Sequence, residues 1–149
     1  MQDIIWKCVF FDALTPYELY EILKLRNEVF VVEQNCVFQD ADDKDQQCYH
    51  LMGFAGNELA AYARLVPPGV SYAFISIGRV VTSAKFRRCG AGKRLMQQAI
   101  DTCFSLFGIQ KIKIGAQLYL KNFYEGFGFR QHSEMYLEDD IPHIEMLRE

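Results

Sequence analysis

Apolar positions change their period several times along this chain, and each change marks an element. Ile4 to Phe11 is an apolar run that predicts a first strand. Thr15-Pro16-Tyr17-Glu18 then predicts a helix start: Thr15 caps free amides, Pro16 suits the first helical position, and Glu18 completes a capping box. Leu19, Ile22, Leu23, Arg26, Val29 and Phe30 follow at helical spacing, and the polar end of Val31-Val32-Glu33-Gln34 leads into an irregular loop. Tyr49 to Ala55 and Glu58 to Val66 are apolar runs separated by Gly56-Asn57, a hairpin signal, and Pro67-Pro68-Gly69 ends the second.

Phe74 to Thr82 is rich in the β-branched residues that suit a buried strand. A short polar connection leads to Arg87-Arg88-Cys89-Gly90-Ala91-Gly92 and then to a long helical pattern. There Leu95, Ala99 and Cys103 form one row and Met96, Ile100, Phe104 and Phe107 an adjoining one, a stripe wide enough to pack on a sheet. Gly108 follows the last periodic residue, where a left-handed helix end favours glycine. Lys111 to Ala116 predicts a short strand, and Leu118 to Phe127 a short helix closed by Gly128-Phe129. Arg130 to Leu137 and His143 to Leu147 predict two more strands, joined by a turn at Asp139-Asp140-Ile141-Pro142. The strand–helix–strand crossover implies parallel pairing of 74–82 with 111–116. The fold class is therefore α/β (α+β), with antiparallel strands leading into one crossover.

Length and composition describe one domain over residues 1–149. Half the residues are hydrophobic, yet no apolar run approaches the ~20 needed to span a membrane. Met1-Gln2-Asp3 lacks the basic start and apolar core of a signal peptide. A net charge of −3 gives no reason to expect nucleic acid as a partner. The five cysteines, at 8, 36, 48, 89 and 103, include no C-x-x-C pair and suggest reduced thiols in the cytoplasm. The three histidines lack metal-ligand spacing, so no metal is expected. The loop from Gln39 to Gln47 holds Asp40, Asp42, Asp43 and Asp45, but it fails the calcium-loop pattern at Asp45 and Leu51. It reads as a solvated acidic loop, or as a feature that attracts a cationic substrate. Arg26, on or beside the apolar stripe, either points at a site or snorkels to water.

A strand that feeds a glycine-rich turn into a helix can hold an anion. The first helical N–H groups have no internal partners, and the dipole places roughly half a positive charge there. Gly90 and Gly92 would let a phosphate approach those amides, and Arg87, Arg88, Lys93 and Arg94 add formal charge. The alternative is a helix start that is merely tightly packed. A nucleoside-triphosphate loop is excluded, because Arg87 stands at its first glycine and Arg94 at its hydroxyl position. The dinucleotide pattern is excluded by Leu95 at the third glycine. Cys89 lies in the turn, where a helix N-terminus can lower a thiol pKa, but no histidine is arranged as its base and a small turn residue is the preferred reading.

Two motifs now stand in order: Arg87-x-x-Gly90-x-Gly92, then Gln117-x-x-Leu120-x-x-x-Tyr124-x-x-x-Gly128-Phe129. Together they resemble the acetyl-CoA site of the GNAT superfamily of N-acetyltransferases. Leu25-Arg26-x-x-Val29-Phe30-Val31-Val32-Glu33-Gln34, Asp45, His50, Ile77-Gly78-Arg79-Val80-Val81 and Ile141-Pro142-His143-Ile144 resemble its ElaA-like branch. The resemblance implies a mixed, mostly antiparallel sheet with flanking helices, splayed between two parallel central strands, with acetyl-CoA in the gap. Backbone groups of Val80, Val81 and Thr82 would pair with the pantetheine arm. The amides of Arg88, Cys89, Gly90, Ala91, Gly92 and Lys93 would hold the pyrophosphate beside Arg87. Gln117 stands where many members have Asn, and Leu120 where many have Ala. The 74–82 strand lacks the Asp or Glu that several members use as a base.

The resemblance further implies direct attack of an amine on the thioester in a ternary complex, with Tyr124 protonating the leaving thiolate and a backbone N–H near Val81 holding the oxyanion. Glu33, His50 and His143 are the candidate bases, each with a structural alternative: Glu33 as a partner of Arg26 or Arg64, and the histidines as satisfied core groups. The acceptor is an amine that the sequence does not identify, and exposed strand edges would allow a homodimer. Two other readings stand beside this one. The first is an acyl-CoA-binding regulatory module without turnover, motivated by the missing base. The second is another acyl transfer on the same fold, such as acyl-homoserine lactone synthesis.

Overall fold

The computed structural model describes residues 3–88 and 90–149; Cys89 of the glycine turn therefore lies outside the described residues. Strand β1 (Ile5–Phe10) leads through a single 3-10 turn to helix α1 (Pro16–Arg26). The helix begins as its sequence dictates, with the Glu18 amide donating to Thr15 Oγ1 at 3.1 Å and the Thr15 amide to Glu18 Oε1 at 2.9 Å. Beyond Arg26 the helix widens into a π-helical segment, Asn27–Glu33. There the Gln34 amide donates to the Val29 carbonyl and the Cys36 amide to the Val31 carbonyl, each five residues back.

Strands β2 (Tyr49–Ala55), β3 (Glu58–Val66) and β4 (Ser76–Thr82) complete an antiparallel sheet in the order β1-β2-β3-β4. Residues alternate across it. Leu51, Ala61, Ala63 and Leu65 face helix α2 (Ala91–Phe107), while Met52, Tyr62 and Val81 pack against Ile22 and Leu25 of α1. The predicted rows of α2 are the buried ones: Leu95, Ala99 and Cys103 beside Met96 and Ile100, with Phe104 and Phe107 packed at the edge. Gly108 ends that helix at φ 85°, in the region that favours glycine.

The second sheet holds β5 (Ile112–Gln117) and the long β8 (Ile141–Arg148), with β6 (Phe129–Gln131) and β7 (Tyr136–Glu138) both on the far side of β8. The short helix α3 (Lys121–Glu125) lies between β5 and β6. The single strand predicted over 130–137 is thus two strands. Between them the His132 amide donates to the Glu145 carbonyl, and the Ser133 hydroxyl accepts from the Glu145 amide, so β8 stays satisfied while the chain bends. The turn is tighter than predicted. Asp139 and Asp140, both with positive φ, form it, and Pro142 already lies in β8 opposite Leu137.

The expected parallel pairing between the central strands is confined to their beginnings. Ile75 bridges Ile112, and the Lys113 amide donates to the Ile75 carbonyl at 2.9 Å. Past that point β4 and β5 diverge. The sheet is mixed and splayed, as the resemblance implied.

Candidate active site between the splayed strands

A cavity of about 910 Å³ fills the wedge between β4 and β5, at the upper end of the size usual for small-molecule sites. Every residue of β4 lines it, as do Ile114 to Gln117 of β5. The π-helical segment supplies Val29, Phe30, Glu33 and Gln34. The β7–β8 hairpin closes the other end with Tyr136, Glu138 and His143.

β4 carries a bulge. Its register with β3 slips between Tyr62 and Arg64, and Arg79 takes a left-handed φ of 49°. A non-glycine residue there is strained and must be held by its surroundings. Asp40 holds it, accepting from Arg79 Nε at 2.8 Å through its carboxylate and from Nη2 at 2.9 Å through its carbonyl. Arg79 belongs to a larger box. Arg26, fully buried, donates to the carboxylates of Asp40 (2.7 Å) and Asp45 (2.9 Å). Arg64 donates to Asp42 at 2.8 Å twice and to Asp45 at 2.8 Å. Arg26 therefore neither points at the cavity nor snorkels. Asp40, Asp42 and Asp45 form neither a solvated loop nor a free anionic lure, because arginines from α1, β3 and β4 take up their oxygens. Burial alone would raise the Asp42 and Asp45 carboxyls. The arginine hydrogen bonds and charges outweigh it and hold both below the usual carboxylate range.

Among the positions assigned to acyl-CoA, Val80, Val81, Thr82, Arg87 and Gln117 line the cavity. Gly90, at φ 73°, begins α2, and no side chain caps that helix start among the described residues. Arg88 is also left-handed, at φ 69°. A Cβ placed on Gly92 would meet only the Phe123 ring, at 3.9 Å, so the fold has room for a side chain that a phosphate at those amides would not. The helix start thus has open space over its first amides and no side chain filling it among the described residues. Gln117 is tied to Gln34, its amide donating to Gln34 Oε1 at 3.4 Å.

Tyr124, only 7% exposed, lines the cavity where α3 meets β5. Burial pushes its phenol up to about 12, with a smaller contribution from Tyr119. The three candidate bases separate clearly. Glu33 lines the cavity, but both its oxygens accept from Arg87 at 2.6 Å, and these hydrogen bonds hold its carboxyl below the usual range. Its partner is thus Arg87, not Arg26 or Arg64. His50 is fully buried away from the cavity; its Nε2–H donates to the Asp45 carbonyl (2.9 Å) and its Nδ1 accepts from the Tyr62 hydroxyl (2.6 Å). Burial pushes that imidazole down, so it is held neutral. His143 lines the cavity, with Gln117 opposite it on β5 and Tyr136 opposite it on β7.

Sequence reasoning missed Tyr72, Tyr136 and Glu138. The two tyrosine hydroxyls converge over Gly115, each 3.3 Å from where its Cβ would stand. Tyr72 lies in the connection before β4 with no periodic signal, and Tyr136 and Glu138 stand in a strand three residues long whose two positions after Tyr136 are both exposed, too short to show a period. No metal-binding cluster of His, Cys, Asp or Glu occurs among the described residues, and no helix there is long and apolar enough to cross a membrane.

Comparison with known proteins agrees with this geometry. The family model described as acetyltransferase (GNAT) domain matches residues 18–149. Protein ElaA of Escherichia coli is 40% identical over 146 residues, covering 97% of this chain and 95% of its own; its crystal structure superposes with a TM-score of 0.91 over 98% of this chain and 99% of that one. An acyl-CoA N-acyltransferase from Pseudomonas aeruginosa is 41% identical, with a TM-score of 0.95 over 99% of this chain and all of that one. The AHL synthase LasI, 11% identical with a TM-score of 0.79 over 99% of this chain and 90% of that one, shares the fold alone. A splayed mixed sheet, a left-handed glycine opening the helix after β4 and near-full-length similarity converge: the chain belongs to the GNAT family of acyl-CoA N-acyltransferases, in its ElaA-like branch.

Proposed function

We propose that the protein is an acetyl-CoA-dependent N-acetyltransferase that acts as one domain and moves the acetyl group to a primary amine in a ternary complex. One observation carries this reading. A single cavity runs from Arg87 and Thr82, on the acyl-CoA side, past the β4 bulge to His143 and Tyr136, so donor and acceptor can be held together. Val80, Val81 and Thr82 would bind the pantetheine arm, Gln117 the opposite edge, and Arg87 with the amides from 88 to 93 the pyrophosphate. An N–H at the bulge near Val81 would meet the oxyanion.

Tyr124 acts on the departing thiolate. A phenol near 12 is a weaker acid than an alkyl thiol near ~8.5, so the hydroxyl stabilises the sulfur chiefly by a hydrogen bond and completes proton transfer late. Tyr124→Phe is expected to lower kcat about 10- to 100-fold. An unchanged kcat would remove Tyr124 from the reaction.

The test of the cofactor half is thermal unfolding with and without acetyl-CoA. At 100 times its Kd the ligand should stabilise the fold by about 2.7 kcal/mol, a shift of a few degrees. Gly92→Leu, whose Cβ would meet only the Phe123 ring at 3.9 Å, should abolish that shift. Release of free thiol on adding an amine then separates an enzyme from a module that only binds acyl-CoA.

A further inference from the structure

The far end of the cavity contains a proton acceptor that the rest of the structure leaves unused. His143 is buried, and its Nδ1 lies 2.7 Å from the Ile141 carbonyl. A carbonyl only accepts, so Nδ1 carries the hydrogen and the neutral ring keeps its lone pair on Nε2. That nitrogen stands 3.5 Å from Glu138 Oε2. A carboxylate cannot donate to it, so the two form an ion pair only once Nε2 has gained a proton. The hairpin fixes this arrangement. Tyr136 is paired with His143 across the strands and stacks on its ring at 5.9 Å, and the Asp139-Asp140 turn sets Glu138 on the same face.

Beside this pair, the Tyr72 and Tyr136 hydroxyls converge over Gly115. Burial raises both phenols, Tyr72 to about 12, and the charges of Glu138 and Glu145 add to the rise, so both stay protonated and both sense negative potential. The cations nearby are already engaged. Lys113 pairs with Glu145 at 3.1 Å above the Tyr72 ring, and Lys44 donates to Ser71. Of the other carboxylates lining this end of the cavity, Asp42 is held by Arg64 and Arg79, while Asp139 lies in the turn next to Glu138 and adds to the negative charge there.

We propose that this end of the cavity seats an acceptor amine that arrives as a primary ammonium, with His143 Nε2 taking its proton and Glu138 positioning and charge-balancing the imidazolium. The assignment rests on the acyltransferase reading. The ammonium transfers one proton to Nε2. The freed nitrogen lone pair then forms the C–N bond at the thioester carbonyl, and the carbonyl electrons move to oxygen. On collapse the C–S bond breaks, the thiolate takes a proton from Tyr124, and the nitrogen's surplus proton restores the phenol. His143 returns its proton to solvent, so each turnover yields amide, free thiol and one proton.

The test uses the full chain with acetyl-CoA, and cadaverine, n-butylamine and β-alanine as acceptor probes, with thiol release as the readout. The two amines without a carboxylate should be turned over and β-alanine should not. His143→Ala should lose 10²- to 10⁴-fold in kcat, keep its acetyl-CoA thermal shift, and recover activity in added imidazole; His143→Gln, whose amide can still donate to Ile141, serves if the alanine variant unfolds. Glu138→Gln should cost about tenfold in kcat at unchanged acetyl-CoA KM, and nothing further in the His143→Ala background. Turnover of His143→Ala or His143→Gln at the wild-type rate, penalties that add instead of merging, or preference for β-alanine each overturn the proposal. A wild type that shows the acetyl-CoA shift but turns over none of the probes overturns the acceptor assignment alone. A wild type without the shift overturns the reading beneath it.

Discussion

Two groups of charged side chains border the same cavity, and they are built on opposite principles. In the arginine–aspartate box, Arg26, Arg64 and Arg79 meet Asp40, Asp42 and Asp45 charge for charge, through hydrogen bonds of 2.7–2.9 Å from α1, β3 and β4. At the hairpin end, His143 Nε2 faces the Glu138 carboxylate at 3.5 Å, and the two become an ion pair only with a proton on that nitrogen. A network whose carboxylates are all taken up by arginines offers a substrate no free anion, leaves only the Arg64 Nε–H buried without a partner, and acts on structure. A group that becomes satisfied only by gaining a proton can take part in chemistry. Counting acidic residues along the chain points to the first group; asking which pair is completed only by taking up a proton points to the second.

The contrast is sharpest in stability. Removing one member of a buried ion-pair network leaves an uncompensated charge and costs about 3–5 kcal/mol. Arg26→Ala leaves the box one positive charge short, with Asp40 keeping Arg79 and Asp45 keeping Arg64, so its unfolding free energy in urea should fall by an amount toward the lower end of that range. Glu138 is 60% exposed at its side chain, and Glu138→Ala should change stability by less than about 0.5 kcal/mol. Similar losses at both positions would erase the distinction.

The chemical contrast comes next. Tyr124→Phe and Arg26→Ala should fail in different ways: the first with native stability and a 10- to 100-fold lower kcat, the second with an unstable fold. Equal loss of stability in Tyr124→Phe would make that tyrosine a core residue.

Much of this was legible in the sequence where the signal was local. The α2 rows, the Thr15 capping box and the Gly56-Asn57 hairpin each lie within one element or one turn, and all three form as read. The site was harder because its parts are far apart in the chain. Arg79 reaches Asp40 across 39 residues and Arg87 reaches Glu33 across 54, separations at which one sequence carries no pairing information. The acidic loop illustrates the point: its four aspartates look solvated until arginines from three other elements close on Asp40, Asp42 and Asp45, leaving only Asp43 exposed. The π-helical turn at Asn27–Glu33 left no mark, because its apolar positions also suit an α-helix. The break in the tail at 132–135 depends on a Ser133 hydroxyl replacing a strand amide partner, a contact with Glu145 twelve residues on.

Acid should separate the regions by a smaller margin. The unfolded chain binds a proton at His50 below about pH 6.5, whereas the folded chain holds that ring neutral through burial. The unfolded state therefore binds more protons as pH falls, and stability should drop with a slope of at most about 1.4 kcal/mol per pH unit below that point. Asp42 and Asp45 act lower. Their carboxyls are depressed in the fold, so their contribution is full above about pH 4 and is lost as pH falls further. Urea unfolding at a series of pH values should show the first slope vanish in His50→Gln and the second remain.

The smallest expected effect probes the tyrosine pair itself. Gly115 has ordinary strand geometry, so alanine is compatible with its backbone and slightly favours the strand. The added Cβ would stand 3.3 Å from both the Tyr72 and Tyr136 hydroxyls, closer than most such contacts, and the phenols must give by a few tenths of an ångström. Stability should therefore change by less than about 1 kcal/mol. The phenols border the proposed ammonium seat and lie away from the start of α2, so the amine KM should rise a few-fold while the acetyl-CoA KM stays fixed. A rise in both would mean the two halves of the cavity are mechanically one. No rise in either would leave His143 and Glu138 as the whole of the acceptor machinery, with the tyrosines as its wall.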